Sequence, residues 1–442
     1  MSSMSGLPTL VNYQEPLVVL PPETQNFEYT AVPVNGSTFA PSSQILVDLG
    51  NRGFLDPASL YIRYKITYTS NAGGAANDTM SIVGTPAYTP FLRLDTFANS
   101  QNIETINNYN TVANIYTNLA LNVADKLGQQ YNLGYNDATL ANENTDGAVY
   151  TLAAAGVITY SQYLSAPLLG LLSSSEKLIP LFLLNNIRLA FTLDSAAKMC
   201  SNLAAATNRK MALFAITNFE VCYNMIDMGQ AVQNEIIRMN PKLRIKSSSF
   251  ATSIAPNIAT GTIGSTSLVY NLRYASVKAI LAVFGGNDTT QSANKLFDSF
   301  DITSSNGDFQ FNIGGVNYPQ KSLSTLNNKG GLMMELRRAM GSILNNNVSL
   351  SVNFNEFNIA DPAAAAPTSV VLPGKFWVAQ NLQKLTVNQK AFFTGVSTQL
   401  APINLNINIG TATTQAYTPL LVLLYDAIIE IDPATKQVLM IQ

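Results

Sequence analysis

Acid–base chemistry in this chain would have to come from carboxylates, because its 442 residues include no histidine. Two close pairs stand out: Asp298 with Asp301, and Glu430 with Asp432. Two carboxyl groups on one strand face could serve as acid and base in glycoside hydrolysis. The competing reading makes each a solvated edge or loop residue, where carboxylates usually sit. Sugar sites also stack their ligand on aromatic rings, and the single tryptophan, Trp377 beside Phe376, reads better as a core or interface anchor. Without histidine, Ser-His-Asp and Cys-His nucleophiles and the histidine-bearing zinc and non-haem iron sites are excluded. Cys200 and Cys222 have no CxxC partner and read as buried thiols of a reducing compartment. Neither GxxxxGK(S/T) nor GxGxxG occurs, and Asn328-Lys329-Gly330-Gly331 reads as a helix-start turn rather than an anion site. Calcium would need oxygen ligands, and no acidic cluster of EF-hand type is present to supply them. No catalytic, cofactor-binding or metal residue is therefore assigned, and no cofactor is expected.

The elements that would hold such groups are mostly strands. Leu60, Ile62, Tyr64, Ile66 and Tyr68 alternate with Tyr61, Arg63, Lys65 and Thr67, the period of a strand with one buried face. The same alternation recurs over Ile187–Leu193, Val348–Phe354 and Ile403–Ile409. Leu420–Ile431 is nearly continuous in apolar residues, as for a central strand covered on both faces. Gly, Asn, Ser and Pro clusters such as Ser304-Ser305-Asn306-Gly307 separate the runs. Helical spacing is confined to 107–122, Val232–Met239 and Leu332–Met340.

The helix at Val232–Met239 sits midway. Each half holds an early long strand (Leu60–Thr69; Leu268–Phe284), then a helix, then late strands (187–193; 420–431). The halves share architecture without close sequence identity, so the pattern is not a motif repeat. The expected fold is all-β: two consecutive eight-stranded jelly-roll sandwiches with a few short helices. The expected division is an extended N-terminal arm over 1–28, a first jelly roll over 29–228, a linker with a short helix over 229–242, and a second jelly roll over 243–442.

Charge narrows the partners. Lys and Arg number 25 against 27 Asp and Glu, and charged residues make up only 12% of the chain, about half the usual share. That balance gives no general attraction to nucleic acid, and the leader of 28 residues carries Glu15, Glu23 and Glu28 but no Lys or Arg. The leader lacks a basic n-region, and no apolar run reaches the roughly 20 residues a bilayer span needs. A protein that is not secreted and has no transmembrane segment is expected. A surface this poor in charge suits burial within an assembly.

Four segments carry a resemblance. They are Phe54-Leu55-Asp56-Pro57-Ala58-Ser59-Leu60-Tyr61-Ile62; Arg93-Leu94-Asp95 through Ile103-Glu104-Thr105-Ile106-Asn107-Asn108-Tyr109; Leu178-Ile179-Pro180 through Ile187-Arg188-Leu189; and Leu272-Arg273-Tyr274-Ala275-Ser276-Val277-Lys278-Ala279-Ile280. In this order, the chain resembles the double jelly-roll major capsid proteins of virophages, polinton-like viruses and related DNA viruses of the tailless-phage and adenovirus lineage. The resemblance implies a non-enzymatic structural subunit of an icosahedral shell, a homotrimer whose two sandwiches per chain give a pseudo-hexameric capsomer. Implied partners are neighbouring capsomers and penton and minor capsid proteins, without sequence-specific nucleic-acid binding, and the implied location is the virion, assembled inside the host cell. Two other readings stay open: a virion spike or carbohydrate-binding β-sandwich, and a jelly-roll glycoside hydrolase.

Overall fold

The computed structural model describes residues 24–71, 78–135, 148–152, 157, 159–184, 186–201, 211–286, 297–344, 351–352, 354–357, 374–384 and 393–442. Sixteen strands and three helices make the frame. The first half contains β1 (Gln25–Ala31), β2 (Gln44–Asp48), β3 (Tyr61–Ser70), β4 (Phe91–Ala98), β5 (Gln101–Asn107), α1 (Tyr109–Ala120), β6 (Thr159–Pro167), β7 (Ile187–Leu193) and β8 (Met211–Asp227). After α2 (Gly229–Met239) the second half follows. It holds β9 (Leu243–Ile254), β10 (Gly264–Tyr270), β11 (Val277–Gly286), β12 (Gly307–Ile313), β13 (Val316–Ser324), α3 (Lys329–Leu344), β14 (Val378–Asn381), β15 (Ile403–Ile409) and β16 (Tyr417–Ile431).

Pairing gives each half the same two antiparallel sheets. The first half has β1–β8–β3–β6 facing β2–β7–β4–β5. Adding eight to each label gives the second half, β9–β16–β11–β14 facing β10–β15–β12–β13. In both, the helix follows the fifth strand. First strand beside eighth, and second beside seventh, is the strand order of a jelly roll. Among the described residues no ladder joins a strand before α2 to one after it.

The alternation read in the sequence lies on the buried faces. Ile62, Tyr64, Ile66 and Tyr68 in β3, Ile187, Leu189, Phe191 and Leu193 in β7, and Ile403, Leu405, Ile407 and Ile409 in β15 are all buried. β16 is buried along almost its whole length, as its continuous apolar run requires, with β9 on one side and β11 on the other. A bulge at Asn218–Phe219 in β8 turns Phe219 into an aromatic cluster with Phe191 (5.2 Å) and Phe91 (5.9 Å). It leaves Asn218, in a left-handed conformation, exposed on the other side.

Three expectations are corrected. Leu268–Phe284 is not one strand: β10 ends at Tyr270, β11 starts at Val277, and they belong to opposite sheets. The intervening chain is tied elsewhere, with Ser276 Oγ donating to the buried carboxylate of Asp426 (2.8 Å). Val348–Phe354 was expected as a strand, but Phe354 opens a helical turn, Phe354–Phe357; residues 348–350 and 353 lie outside the described residues. Of the leader 1–28, residues 1–23 lie outside them too, and 25–28 are paired into β1 against Asp227–Asn224.

Candidate functional site

The carboxylates singled out by spacing do not converge. Glu430, in β16, accepts from Lys242 Nζ (2.7 Å) and Arg244 Nε (2.8 Å). The Lys242 hydrogen bond, with that of Arg244, holds its carboxyl below the usual carboxylate range. Asp432 closes the turn that follows, accepting from the backbone N–H of Ala434 (2.9 Å), and is also held low, chiefly by the Thr435 hydroxyl. Asp301 caps a turn before β12, accepting from Thr303 N (3.0 Å), Thr303 Oγ1 (2.5 Å) and Ser305 N (3.1 Å), with Lys329 Nζ at 3.6 Å. Asp298 is half-buried beside buried Phe297 and Ser299. Asp301, Glu430 and Asp432 already have their partners in the fold, an arrangement of structural ion pairs and turn caps.

Trp377 is fully buried next to Phe376, which packs against Phe357 at 5.1 Å and Phe309 at 5.7 Å. Cys222 is a free buried thiol; the side chain of Cys200 lies outside the described residues. The start of α3 is capped from within, Asn328 Oδ1 accepting from Gly331 N at 3.0 Å, so the Gly-Gly pair serves as a helix-start turn. Among the described residues no group of His, Cys, Asp and Glu could hold a metal ion, and no helix is long and apolar enough to cross a membrane.

What the fold does bring together is the junction of the two sandwiches. Glu104 of β5 is buried there, accepting from Leu171 N (2.7 Å) and Thr96 Oγ1 (2.9 Å) of its own half and from Ser249 Oγ of β9 in the other. Burial pushes its carboxyl upward against the pull of these three donors, and Asp95 adds to the rise. Gly170, at φ +142°, lets the backbone close over this group: a Cβ there would meet both Glu104 oxygens at 3.1 Å. Around it Ser174 Oγ and Ser247 Oγ lie 2.8 Å apart, Thr252 Oγ1 donates to Asn107 O (3.0 Å), and Tyr116 of α1 meets Phe250 edge-on at 6.4 Å. Glu104 stands opposite Thr96 in the β4–β5 ladder, on the same sheet face as buried Leu94 and Ile106, where Gly170 and Leu171 of its own half and Ser249 of the other close over it. Its isolation among Ile103, Thr105 and Ile106 was the only sequence signal.

The outer faces of the two equivalent sheets differ. On β9–β16–β11–β14, Phe250, Val422, Leu424, Ala279 and Leu281 meet Val112, Ile115 and Tyr116 of α1 with almost no free space. On β1–β8–β3–β6 the matching face is open among the described residues. It forms a groove of about 670 Å³ whose walls include Val32, Arg63, Tyr131, Tyr163, Asn218 and Glu220. Arg63 pairs with Glu220 across β3–β8, and Lys65 lies over the Tyr163 ring at 5.8 Å. Tyr131 is 91% exposed and Tyr163 66%, unusual for side chains of this size.

No family model matches the sequence, and no curated protein matches it. Solved structures do. The chain superposes on the Faustovirus major capsid protein with TM-score 0.62 at 8% identity, covering 96% of this chain and 92% of that one. The mavirus major capsid protein gives 0.58 at 11%, covering 100% and 94%. A chain of the Sputnik virophage structure gives 0.56 at 12%, covering 100% and 93%. At such identities the likeness is one of fold, and it extends over essentially the whole length of both partners: the chain has the double jelly-roll fold.

Proposed function

We propose that this chain is the major capsid subunit of an icosahedral DNA virus, a structural protein of the virion without catalysis. The observation that carries the reading is the internal repeat: the same eight-strand order and the same helix position, twice in one chain. Three such chains present six similar lobes, so a block of threefold symmetry can tile a hexagonal lattice. The division that fits is a first jelly roll over 29–228 with β1 extending it to Gln25, a linker over 229–242, and a second jelly roll over 243–442. The internal partnering of Asp301, Glu430 and Asp432 favours this reading over a hydrolase. Its partners would be copies of itself, neighbouring capsomers, and penton and minor capsid proteins; a net charge of −2 argues against gathering genome electrostatically.

Light scattering on the purified protein tests this. Three times the chain mass of 47.6 kDa is expected, with hexagonal sheets or closed shells under the electron microscope at high concentration. A monomer at every concentration, or release of sugar from glycan substrates that is lost in Glu430→Gln, would overturn it.

A further inference from the structure

We propose that Lys278 and Asp426 join, once the second sandwich has folded, through an amide between Nζ and Cγ that ties β11 to β16 covalently. The carboxylate is already held as an acyl group would be. Asp426 of β16 is 1% exposed, and its Oδ2 accepts from Ser276 Oγ (2.8 Å), Thr394 N (3.0 Å) and Thr394 Oγ1 (3.1 Å). Its Oδ1 is buried too, accepts no hydrogen bond among the described residues, and faces Lys278 Nζ at 3.6 Å. A bulge brings the lysine there. Val277 stands opposite Tyr425 and Ala279 opposite Leu424, so Lys278 is the extra residue of the β11 ladder, and its side chain is re-aimed toward Asp426 and left only 17% exposed.

A second segment closes the site. Val396 exchanges both backbone hydrogen bonds with Val277 (2.8 and 2.9 Å), and Gly395 N donates to Ser276 Oγ (2.8 Å). A Cβ on Gly395 would meet Val277 O at 2.1 Å, so only glycine lets residues 394–396 come this close. Other buried lysines show what an ordinary pair looks like. Lys375 donates to Glu356 at 2.7 Å. Lys329 lies 3.6 Å from Asp301, but its Nζ donates to Ser305 Oγ (2.6 Å), and both Asp301 oxygens accept from Thr303 or Ser305. Lys278 has only the bare Oδ1 before it among the described residues, at a distance that makes no hydrogen bond.

The step is a condensation. A proton passes from the ammonium to Oδ1, leaving an amine beside an acid. Nζ attacks Cγ, its lone pair forms the C–N bond, and the π pair of the carbonyl moves onto Oδ2, where three donors already wait for the charge. The C–Oδ1 bond then breaks. Oδ1 leaves as water with two of the three ammonium protons, and the third stays on the amide nitrogen. Nothing is oxidised or reduced, and no co-reactant is consumed. Groups fixed in this way react at effective molarities of about 10⁵–10⁸ M, and the exposed part of Lys278 gives the water a way out.

The test is the intact mass of the full chain, denatured, beside Lys278→Arg. Wild type is expected about 18 Da, one water, below the mass of its sequence, and Lys278→Arg at its full mass. In a tryptic digest of wild type, cleavage after Lys278 should be lost, and the peptide carrying it should be joined to the one that ends at Lys436. A lighter, joined species that grows on storage is the same reaction in progress and supports the proposal. Wild type still at full mass after days of storage, or a lost water mapped to Asp426 with Lys278 cleaved normally, overturns it. The wild-type measurements decide the matter even where Lys278→Arg fails to fold, and none of them depends on the capsid reading.

Discussion

Glu104 offers the sharpest perturbation of the junction. Replacing it with Leu removes the acceptor for Leu171 N, Thr96 Oγ1 and Ser249 Oγ at a buried site. The two hydroxyls can turn to other acceptors, but the backbone N–H of Leu171 cannot. An unsatisfied buried donor costs about 1–3 kcal/mol, and with partial loss at the hydroxyls the whole change should cost about 3 kcal/mol. Gln keeps one carbonyl oxygen for Leu171 N and Ser249, and its amide can donate to Thr96, so Glu104→Gln should cost about 1 kcal/mol or less. The pH dependence separates the two effects further. Burial raises the carboxyl in the folded protein above its ordinary 4.5, so the folded state holds the proton more tightly than the unfolded chain. Its contribution is fully present below pH 4.5 and is lost as pH rises through the folded value, with a slope of at most about 1.4 kcal/mol per pH unit. Urea unfolding of wild type, Glu104→Leu and Glu104→Gln at pH 5 and pH 8 reads all of this. Glu104→Gln should overtake the wild type toward pH 8, whereas Glu104→Leu should stay least stable at pH 5. A Leu variant as stable as wild type at pH 5, or a Gln variant whose difference from wild type does not change with pH, would refute the reasoning.

Two further expectations follow from burial. Trp377→Ala should destabilise the second sandwich by about 3–5 kcal/mol, read as a lowered urea midpoint, because it empties a fully buried site in the core. In a Cys200→Ser background, a thiol reagent should label Cys222 only at the rate of unfolding; rapid labelling of native protein would contradict its burial against the β1 strand, where Thr30 Oγ1 lies 3.8 Å from its sulfur.

The sandwich was legible wherever one face alone decides a strand. β3, β7 and β15 alternate because one side meets the core and the other is not covered by apolar chain, and period two survives under that condition. It fails where both faces are covered. The stretch from Leu268 to Phe284 reads as one apolar strand, yet it crosses from one sheet to the other, and what turns it is a set of distant partners. Ser276 reaches Asp426 and Thr398 accepts from Tyr274 N, contacts that no local pattern encodes. Glu104 escaped notice for a related reason: the groups that close over it come from distant parts of the chain, Gly170 and Leu171 of its own half and Ser249 of the second sandwich. The carboxylate pairs were visible as pairs but not as what they are. Sequence spacing shows that Glu430 and Asp432 are close, while the cations that neutralise Glu430 come from the start of β9, across the sheet.

The two halves reach one architecture with different residues, and the difference tracks which faces are covered within the chain. Along β16 both faces are buried, and the side chains are apolar from Leu420 to Leu424 and again from Ala427 to Ile429. Along β8, its counterpart, one face meets the same kind of core through Phe214, Ile216, Phe219, Val221 and Tyr223. The other carries Ala215, Thr217 and Glu220, none of them buried. If the second half of the chain were covered on that face only by solvent, a continuous apolar strand such as β16 would expose a patch that a monomer rarely tolerates. It is the first sandwich, through α1, that makes β16 tolerable. Among the described residues the outer sheet of the first sandwich has no such cover, and it is polar and aromatic rather than aliphatic.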